Sequence, residues 1–545
     1  MADLHDDILN CLIDNGYLAS WKEDILVIII ELCNKTLPLI CKLGNRFPYE
    51  FPTISLSNAA LDQLPSIPHQ YRDNSLCLFD RSVAVSNINH PCEIILDCVR
   101  KAEAILKEGM EETNQQDFID EFLAYWGNKH KNQVQMFVDG LDDCKKIILL
   151  GDGKEGIIVE ANDDAQEHLA EYALKNKPDK RVQGLLIPLD VGDIAFIPHD
   201  DLEIIDLIRH ASSYWEQYNT FLRKNYDKRI LVVITKATEQ GYIIAGWIHY
   251  PQNTPSGFRA GKAPFKVLYS KSCKKGIGLQ VDNCSQKHLF SRGGDGHAIM
   301  INNACIIGCG SLGSHIAEAL MKYGTKHFSL VDNDLLSYDN IARHYTGYYF
   351  VGRPKVNSIS FSLHMHNPNI KCDTFFENAF DFFESHLEDM NQSDLIVIAT
   401  ASPSIEHFVN ELIQKHAIKA PIIFVWTEPY AVAGQAILVN GQVDLYKEQF
   451  DRKTLEFRNP VLINGLQYTK REAGCQSSFI PYSAFRLQEM IYRILDIVIN
   501  DLLVKKHSFR ITWCGNLSEA RKNGFIISDR YADAMDYSVD VERID

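Results

Sequence analysis

A parallel α/β fold is what the C-terminal half of this sequence predicts, and three observations carry it. From about residue 291, short apolar runs alternate with helical patterns, the signature of strands joined by covering helices. The run 304–307 passes straight into Gly308-Cys309-Gly310-Ser311-Leu312-Gly313, and that into a helix with Leu312, Ile316, Leu320 and Tyr323 on one face. A second strand, His327–Val331, follows and ends on Asp332. Strand, glycine turn, helix and strand define a Rossmann-like nucleotide-binding unit. Glycines let the backbone turn tightly beside phosphate, and the helix start offers free N–H groups. On 305–334 alone a nicotinamide dinucleotide is as good a ligand as any other.

The remaining elements follow in order. The 545 residues suggest three or four domains, read as 1–130, 131–290 and 291–545. The first is α+β: a helical start, an apolar strand Ile25–Leu32, a Pro-rich turn at 47–52, and helical patterns at 93–106 and 118–126. The middle region is mixed α/β, with strand-like runs at 146–150, 156–160, 182–189, 230–234 and Gly241–His249, and ends in a Gly-, Lys- and Ser-rich stretch, 251–278, that reads as loops. Beyond the glycine motif come a helix at 356–366, a strand at 395–399, a helix at 405–416 and a strand at 421–425.

Apolar residues at 46% and charged residues at 23% describe an ordinary globular composition. A net charge of -16 without a long basic run argues against nucleic acid as the main partner. No apolar run is long enough to span a bilayer, and MADLHDDILN is not a secretory signal, so a cytoplasmic protein is expected. Fourteen cysteines without a CxxC pair suggest neither a zinc ribbon nor a disulfide framework. In a reducing compartment a special cysteine is a nucleophile.

After Asp332 the chain reads Asn333-Asp334, then Asn340, Arg343 and His344, then Gly352-Arg353-Pro354-Lys355. This resembles the adenylating domain of ubiquitin-activating enzymes and their ThiF/MoeB relatives. The resemblance implies that Asp332, with Asp334 beside it, holds the ribose of ATP and that Asn340, Arg343 and Lys355 surround the phosphates. Arg292 matches the family arginine that reaches a phosphate across a homodimer. Cations and amide donors suit the charge that builds on phosphorus during acyl adenylate formation. The family also binds Mg2+ through an Asp just after the strand that is 395–399 here. Ala401 stands at that position, with Asp394 and Glu406 nearby, so the metal ligand is left open.

Two further cysteines stand out. Cys475, in Arg471-Glu472-Ala473-Gly474-Cys475, lies in a Gly/Ser loop before a helical pattern at 483–495, a setting for a nucleophile that takes an acyl group as a thioester. Cys514, beside Trp513 in an apolar run, reads as a structural cysteine. In the first region His69 precedes Cys77 by eight residues, and Leu76 and Leu78 flank it. Together with the Pro-rich turn this is similar to the core of ubiquitin-conjugating enzymes. The usual Asn position holds Tyr71, and Asn74 or a backbone donor is left to replace it. Cys92, at a helix start, competes for the role of Cys77.

The order of the three domains resembles bacterial fused activating–conjugating enzymes of CBASS antiphage systems. That resemblance implies ATP-dependent activation of a protein C-terminus, thioesters at Cys475 and Cys77, and transfer to a lysine of an acceptor protein. The implied substrate is a cGAS/DncV-like nucleotidyltransferase, and the implied assembly a homodimer. Two other readings remain: an adenylating enzyme for a sulfur-carrier protein, and a module that binds ATP without catalysis.

Overall fold

The computed structural model describes every residue except 1, 65, 66, 68, 72, 80–83, 85, 112, 114–121, 152–154, 162–180, 192, 193, 195–197, 240, 271–273, 295 and 472–477. The chain divides into two units, Met1–Cys284 and Ser285–Asp545.

The first unit opens with the helix Ala2–Asp14 and a four-stranded antiparallel meander: β1 (Leu18–Lys22), β2 (Ile25–Leu32), β3 (Lys35–Lys42) and β4 (Thr53–Leu56). Strict alternation in β2 and β3 buries Leu26, Ile28, Ile30, Leu37, Leu39 and Cys41 on one face. The long helix Pro91–Met110 covers that face with Ile95, Cys98, Val99, Ala102 and Leu106. Cys77 lies in the connection between meander and helix.

Seven strands then close into a barrel, in the order β10-β11-β5-β7-β6-β8-β9. They are β5 (Gln133–Met136), β6 (Lys145–Gly151), β7 (Glu155–Glu160), β8 (Arg181–Pro188), β9 (Ile230–Thr238), β10 (Gly241–His249) and β11 (Ile277–Asn283). The stretch 251–278, read as loops, holds the helix Phe265–Ser270 and the start of β11. Its apolar contacts at Phe265, Leu268 and Tyr269 span too few turns to register as a period. The helix Phe122–Lys129 packs on the barrel through Phe122 and Trp126, whose indole N–H donates to the Leu279 carbonyl at 2.7 Å. Buried Asp201 ties further pieces together: it accepts from the Trp247 indole at 2.9 Å and the Gly276 N–H at 2.9 Å, and lies 2.7 Å from His249 Nδ1.

The second unit is built on an eight-stranded sheet, in the order β14-β13-β12-β15-β16-β17-β20-β21. β12 (Asn303–Ile307), β13 (His327–Val331), β14 (Lys371–Phe375), β15 (Leu395–Ile398) and β16 (Ile422–Thr427) are parallel. The helices Ser311–Tyr323, Lys355–His366 and Ala484–Ile497 contribute to one core, and Ala379–Ser385 and Pro403–Gln414 to another. The sheet is thus covered on both faces. Beyond β16 it turns antiparallel through β17 (Ala433–Val439), β20 (Phe509–Cys514) and β21 (Val539–Arg543). The link between β16 and β17 is only 428–432, too short for the crossover that a parallel neighbour needs. Two-residue strands β18 (Lys470–Arg471) and β19 (Ser478–Phe479) pair on either side of 472–477. Cys514 is buried in β20, and burial pushes its thiol up to about 11, in keeping with a structural cysteine.

Candidate functional sites

The C-terminal ends of β12, β13 and β15 meet at one edge of the sheet, and the glycine loop sits there. Gly308 has φ +92°, and a Cβ on it would lie 2.7 Å from the carbonyl carbon of Ala399. A Cβ on Gly313 would run into the carbonyl oxygen of Gly308. Gly310 caps the helix Ser311–Tyr323 without a side-chain hydrogen bond and faces open space. Two glycines therefore let helix and strands close up. The third leaves the helix start bare, a cradle that fits a phosphate.

Asp332, at the end of β13, crosses to this loop. Its Oδ2 accepts the Cys309 N–H at 2.7 Å and its Oδ1 the Asp334 N–H at 2.8 Å. Burial raises its carboxyl above the usual range, and the Lys355 ammonium opposes that. Lys355 arrives on a short ladder in which Leu336 N–H donates to Arg353 O and Gly352 N–H to Leu336 O, both at 2.9 Å. The Lys355 ammonium lies 2.6 Å from Asp334 Oδ2 and 4.0 Å from Asp332 Oδ1, and is itself buried.

Arg343 is held by its own backbone. Ser311 Oγ donates to the Arg343 carbonyl at 2.5 Å, and Tyr345 N–H donates to Ser314 Oγ at 3.1 Å. The guanidinium stands 5.8 Å from the centre of the Tyr482 ring. Asn340 accepts the Ser337 N–H on its side-chain oxygen at 3.1 Å, which turns the chain from Asp334 towards Arg343. Next to Arg343, buried His344 accepts the Thr346 N–H at Nδ1, so Nε2 carries the proton and donates to the Cys309 carbonyl at 2.9 Å. Burial holds that imidazole down to about 4, hence neutral. The sequence assigned no role to His344, Ser311, Ser314 or Tyr482. The Ser-Leu-Gly-Ser run after Gly310 was the only local sign of the two serines. Arg292 lies in the helix Gln286–Gly293, and its side chain is outside the described residues.

For a metal the fit is poor. Ala401 has φ +50°, is exposed, and offers no oxygen from its side chain. Asp394 lies at the opposite end of β15, where its Oδ2 accepts the N–H groups of Asn302 and Asn303 at 2.8 and 2.9 Å. Among the described residues no group of three or more His, Cys, Asp or Glu could hold an ion. Glu406, in the first turn of Pro403–Gln414, is raised by burial from 4.5 to about 7. The folded state thus binds this proton more tightly than the unfolded one, and stability falls as pH rises from about 4.5 to about 7. Glu406→Gln is expected to raise the melting temperature relative to the parent at about pH 8 and to leave it nearly unchanged at about pH 4.5. Equal offsets at the two pH values would rule this out.

Cys475 lies outside the described residues, but the chain on both sides of it is anchored to one turn after β16. Buried Glu428 accepts the N–H groups of Val461 and Leu462 at 2.9 and 2.7 Å, and Tyr430, at φ +57°, donates its N–H to the Pro481 carbonyl at 2.7 Å.

In the first unit, Cys77 follows a tight turn. Cys77 N–H donates to the His69 carbonyl at 2.7 Å, Tyr71 N–H to Ser75 O at 2.8 Å, and Leu76 N–H to Ile54 O at 2.8 Å, which fastens the turn to β4. Leu76 and Leu78 are buried, and half-buried Cys77 between them lines a cavity of about 720 Å³ with His69, Tyr71 and the stacked rings of Phe51 and Phe79. Asn74, at φ +65°, accepts from the Gln70 amide at 3.3 Å on its side-chain oxygen. Cys92 does not show the lowered thiol pKa expected at a helix start: burial first, then Cys11 and Asp7, push it up.

Residues 297–476 match the ThiF family and residues 23–135 match Prokaryotic E2 family B. The chain is therefore a fused activating and conjugating enzyme, an E1/E2-like ligase with both domains in one polypeptide. This combination of domains is the one expected from the resemblance to the fused enzymes of CBASS systems. The chain is 21% identical over 471 residues, 80% of each chain, to the ATP-dependent ubiquitin transferase-like protein Cap2 of Pseudomonas aeruginosa (strain BWHPSA011 / Pa011). A stretch of 68 residues, 12% of this chain and 11% of the relative, is 38% identical to the ubiquitin-like modifier-activating enzyme ATG7 of Kluyveromyces lactis. Of solved structures, PaaA aligns at TM-score 0.30 and 17% identity over 45% of this chain and 65% of its own. E. coli MccB with ATP aligns at TM-score 0.29 and 16% identity over 45% of this chain and 64% of its own. The chain thus spans just under two thirds of the length of each of these two structures. No helix among the described residues is long and apolar enough to cross a membrane.

Proposed function

We propose that this enzyme activates the C-terminal carboxylate of a protein with ATP, carries it as a thioester on Cys475 and then on Cys77, and joins it to a lysine amine. Residues 1–130 serve as the conjugating domain, 131–290 as a bridge, and 291–545 as the adenylation domain. The observation that carries the reading is the edge where Asp332 is tied to Cys309 N–H beside a bare helix start, with Lys355 at 4.0 Å. Asp332 and Asp334 hold the ribose there. The helix start, Asn340, Arg343 and Lys355 take the phosphates as charge builds on them. Mg2+ would come with the nucleotide, and Ala401 would supply it no ligand. Arg292 acts across a homodimer.

The Cys77 cavity favours conjugation over the sulfur-carrier reading, which would use the second unit alone. The substrate we assign is a cGAS/DncV-like nucleotidyltransferase, and the acceptors are lysine-bearing proteins. With that substrate present, Arg343→Ala should cut ATP–pyrophosphate exchange by about 10²-fold. Cys475→Ser should keep exchange and lose every thioester. Full exchange in Arg343→Ala would overturn the phosphate role, and no exchange in the parent would leave only an ATP-binding module.

A further inference from the structure

The wall of the Cys77 cavity contributed by the helix Pro91–Met110 is chemically unusual. Lys101, Ile105 and Glu108 line the same cavity as the thiol. Their spacing puts them on one helix face. Ile105 is buried at the centre of that face, whereas Lys101 and Glu108 are exposed on either side of it. Among the described residues, Lys101 is the one lysine that lines the cavity. Among the described residues no hydrogen bond or ion pair holds its ammonium. An amine on a flexible four-carbon stem, a thiol and a carboxylate therefore share one space of about 720 Å³.

We propose that Lys101 is an acceptor of the enzyme's own transfer, a self-modification site. The proposal rests on the reading of Cys77 as the acyl carrier. An acyl group on Cys77 Sγ places its carbonyl carbon in this cavity. The deprotonated Nζ of Lys101 attacks that carbon. A C–N bond forms, the C–S bond breaks, Cys77 leaves as thiolate, and the proton from nitrogen passes to it or to the Glu108 carboxylate. The product is an amide on Lys101 and a free thiol on Cys77, with no other reactant required. An acceptor inside the cavity has no association step, so the reaction competes with transfer to lysines in solution. Once made, the amide leaves the acyl chain across the cavity and slows the next cycle.

The test uses the full chain and a short peptide thioester, acetyl-Gly-Gly-mercaptoethanesulfonate, which loads thiols by exchange without ATP. Intact mass and peptide mapping are expected to show a dithiothreitol-sensitive acyl group on Cys77. A dithiothreitol-resistant one should follow on Lys101. Cys77→Ser should lose both. Lys101→Arg should load Cys77 and lose the resistant adduct. Glu108→Gln should slow its formation by about tenfold near neutral pH. Loading of Cys77 without an amide on Lys101, or an amide that survives in Cys77→Ser, overturns this inference alone. Failure of Cys77 to load overturns it together with the conjugating role.

Discussion

Cys77→Ser abolishes lysine-linked product and leaves ATP–pyrophosphate exchange unchanged: that is the expected result with the largest effect. The hydroxyl replaces the thiol with little change in volume, and the turn that carries it is made of backbone bonds, Cys77 N–H to His69 O and Leu76 N–H to Ile54 O. Leu76 and Leu78 stay buried on both sides. The fold should therefore survive, and only chemistry is lost. A thiol is partly ionised near neutral pH and intrinsically nucleophilic, whereas a serine hydroxyl without an activating base is neither. Any oxyester that forms is a poorer donor and should accumulate, stable to thiol reductants. Product by gel and mass, exchange by radiolabel and stability by thermal melt separate the cases. Unchanged product in Cys77→Ser would end the conjugating role of the first unit.

Lys355→Ala is expected to reduce exchange by about 10²- to 10³-fold, the scale of losing one preorganised charge from a site of developing charge. Two effects combine. The first is loss of the cation itself. The second is what its removal does to Asp332, whose carboxyl burial already raises and Lys355 lowers. Without Lys355, Asp332 and Asp334 face each other with no counter-charge, and Asp332 takes up a proton more readily. The exchange profile of the variant should then rise to its plateau at a higher pH than that of the parent. The contact with Asp334 contributes little stability, because the Asp334 side chain is 65% exposed. A parent-like rate would show that the ammonium only shields the two carboxylates. A parent-like pH profile at a lowered rate would show that it acts on phosphate and not through Asp332.

The same residues show where local pattern was sufficient. β12, the glycine turn, the helix Ser311–Tyr323 and β13 all lie within thirty or so residues. Each is set by short-range rules: apolar strand, tight turn, amphipathic helix. β2 and the helix that covers it were legible for the same reason, and so was the pattern around Cys77, with buried leucines on each side of the thiol, whereas β1 and β3 of the meander were not read. In contrast, nothing local in Lys355 marks it as the partner of Asp332. The ladder of 334–336 on 352–354 brings it there, and a ladder depends on which distant segments pair. His344 likewise reads as one more polar residue until the Thr346 N–H and the Cys309 carbonyl fix its proton on Nε2.

The sequence by itself determined the α/β character of the second unit, the glycine loop with Asp332, and the candidates Cys77 and Cys475. Periodicity and spacing along a single stretch of chain are enough for the first two, and the cysteines stand out through their resemblance to the motifs of conjugating and activating enzymes. Only the tertiary structure decided that the parallel sheet turns antiparallel after β16, that the middle strands close into a barrel, and that Asp394 lies at the wrong end of β15 for a metal. It alone put Lys101 and Cys77 in one cavity. Each of these follows from packing between segments far apart in the chain, where burial and hydrogen-bond satisfaction select one partner among many that the local pattern allows equally.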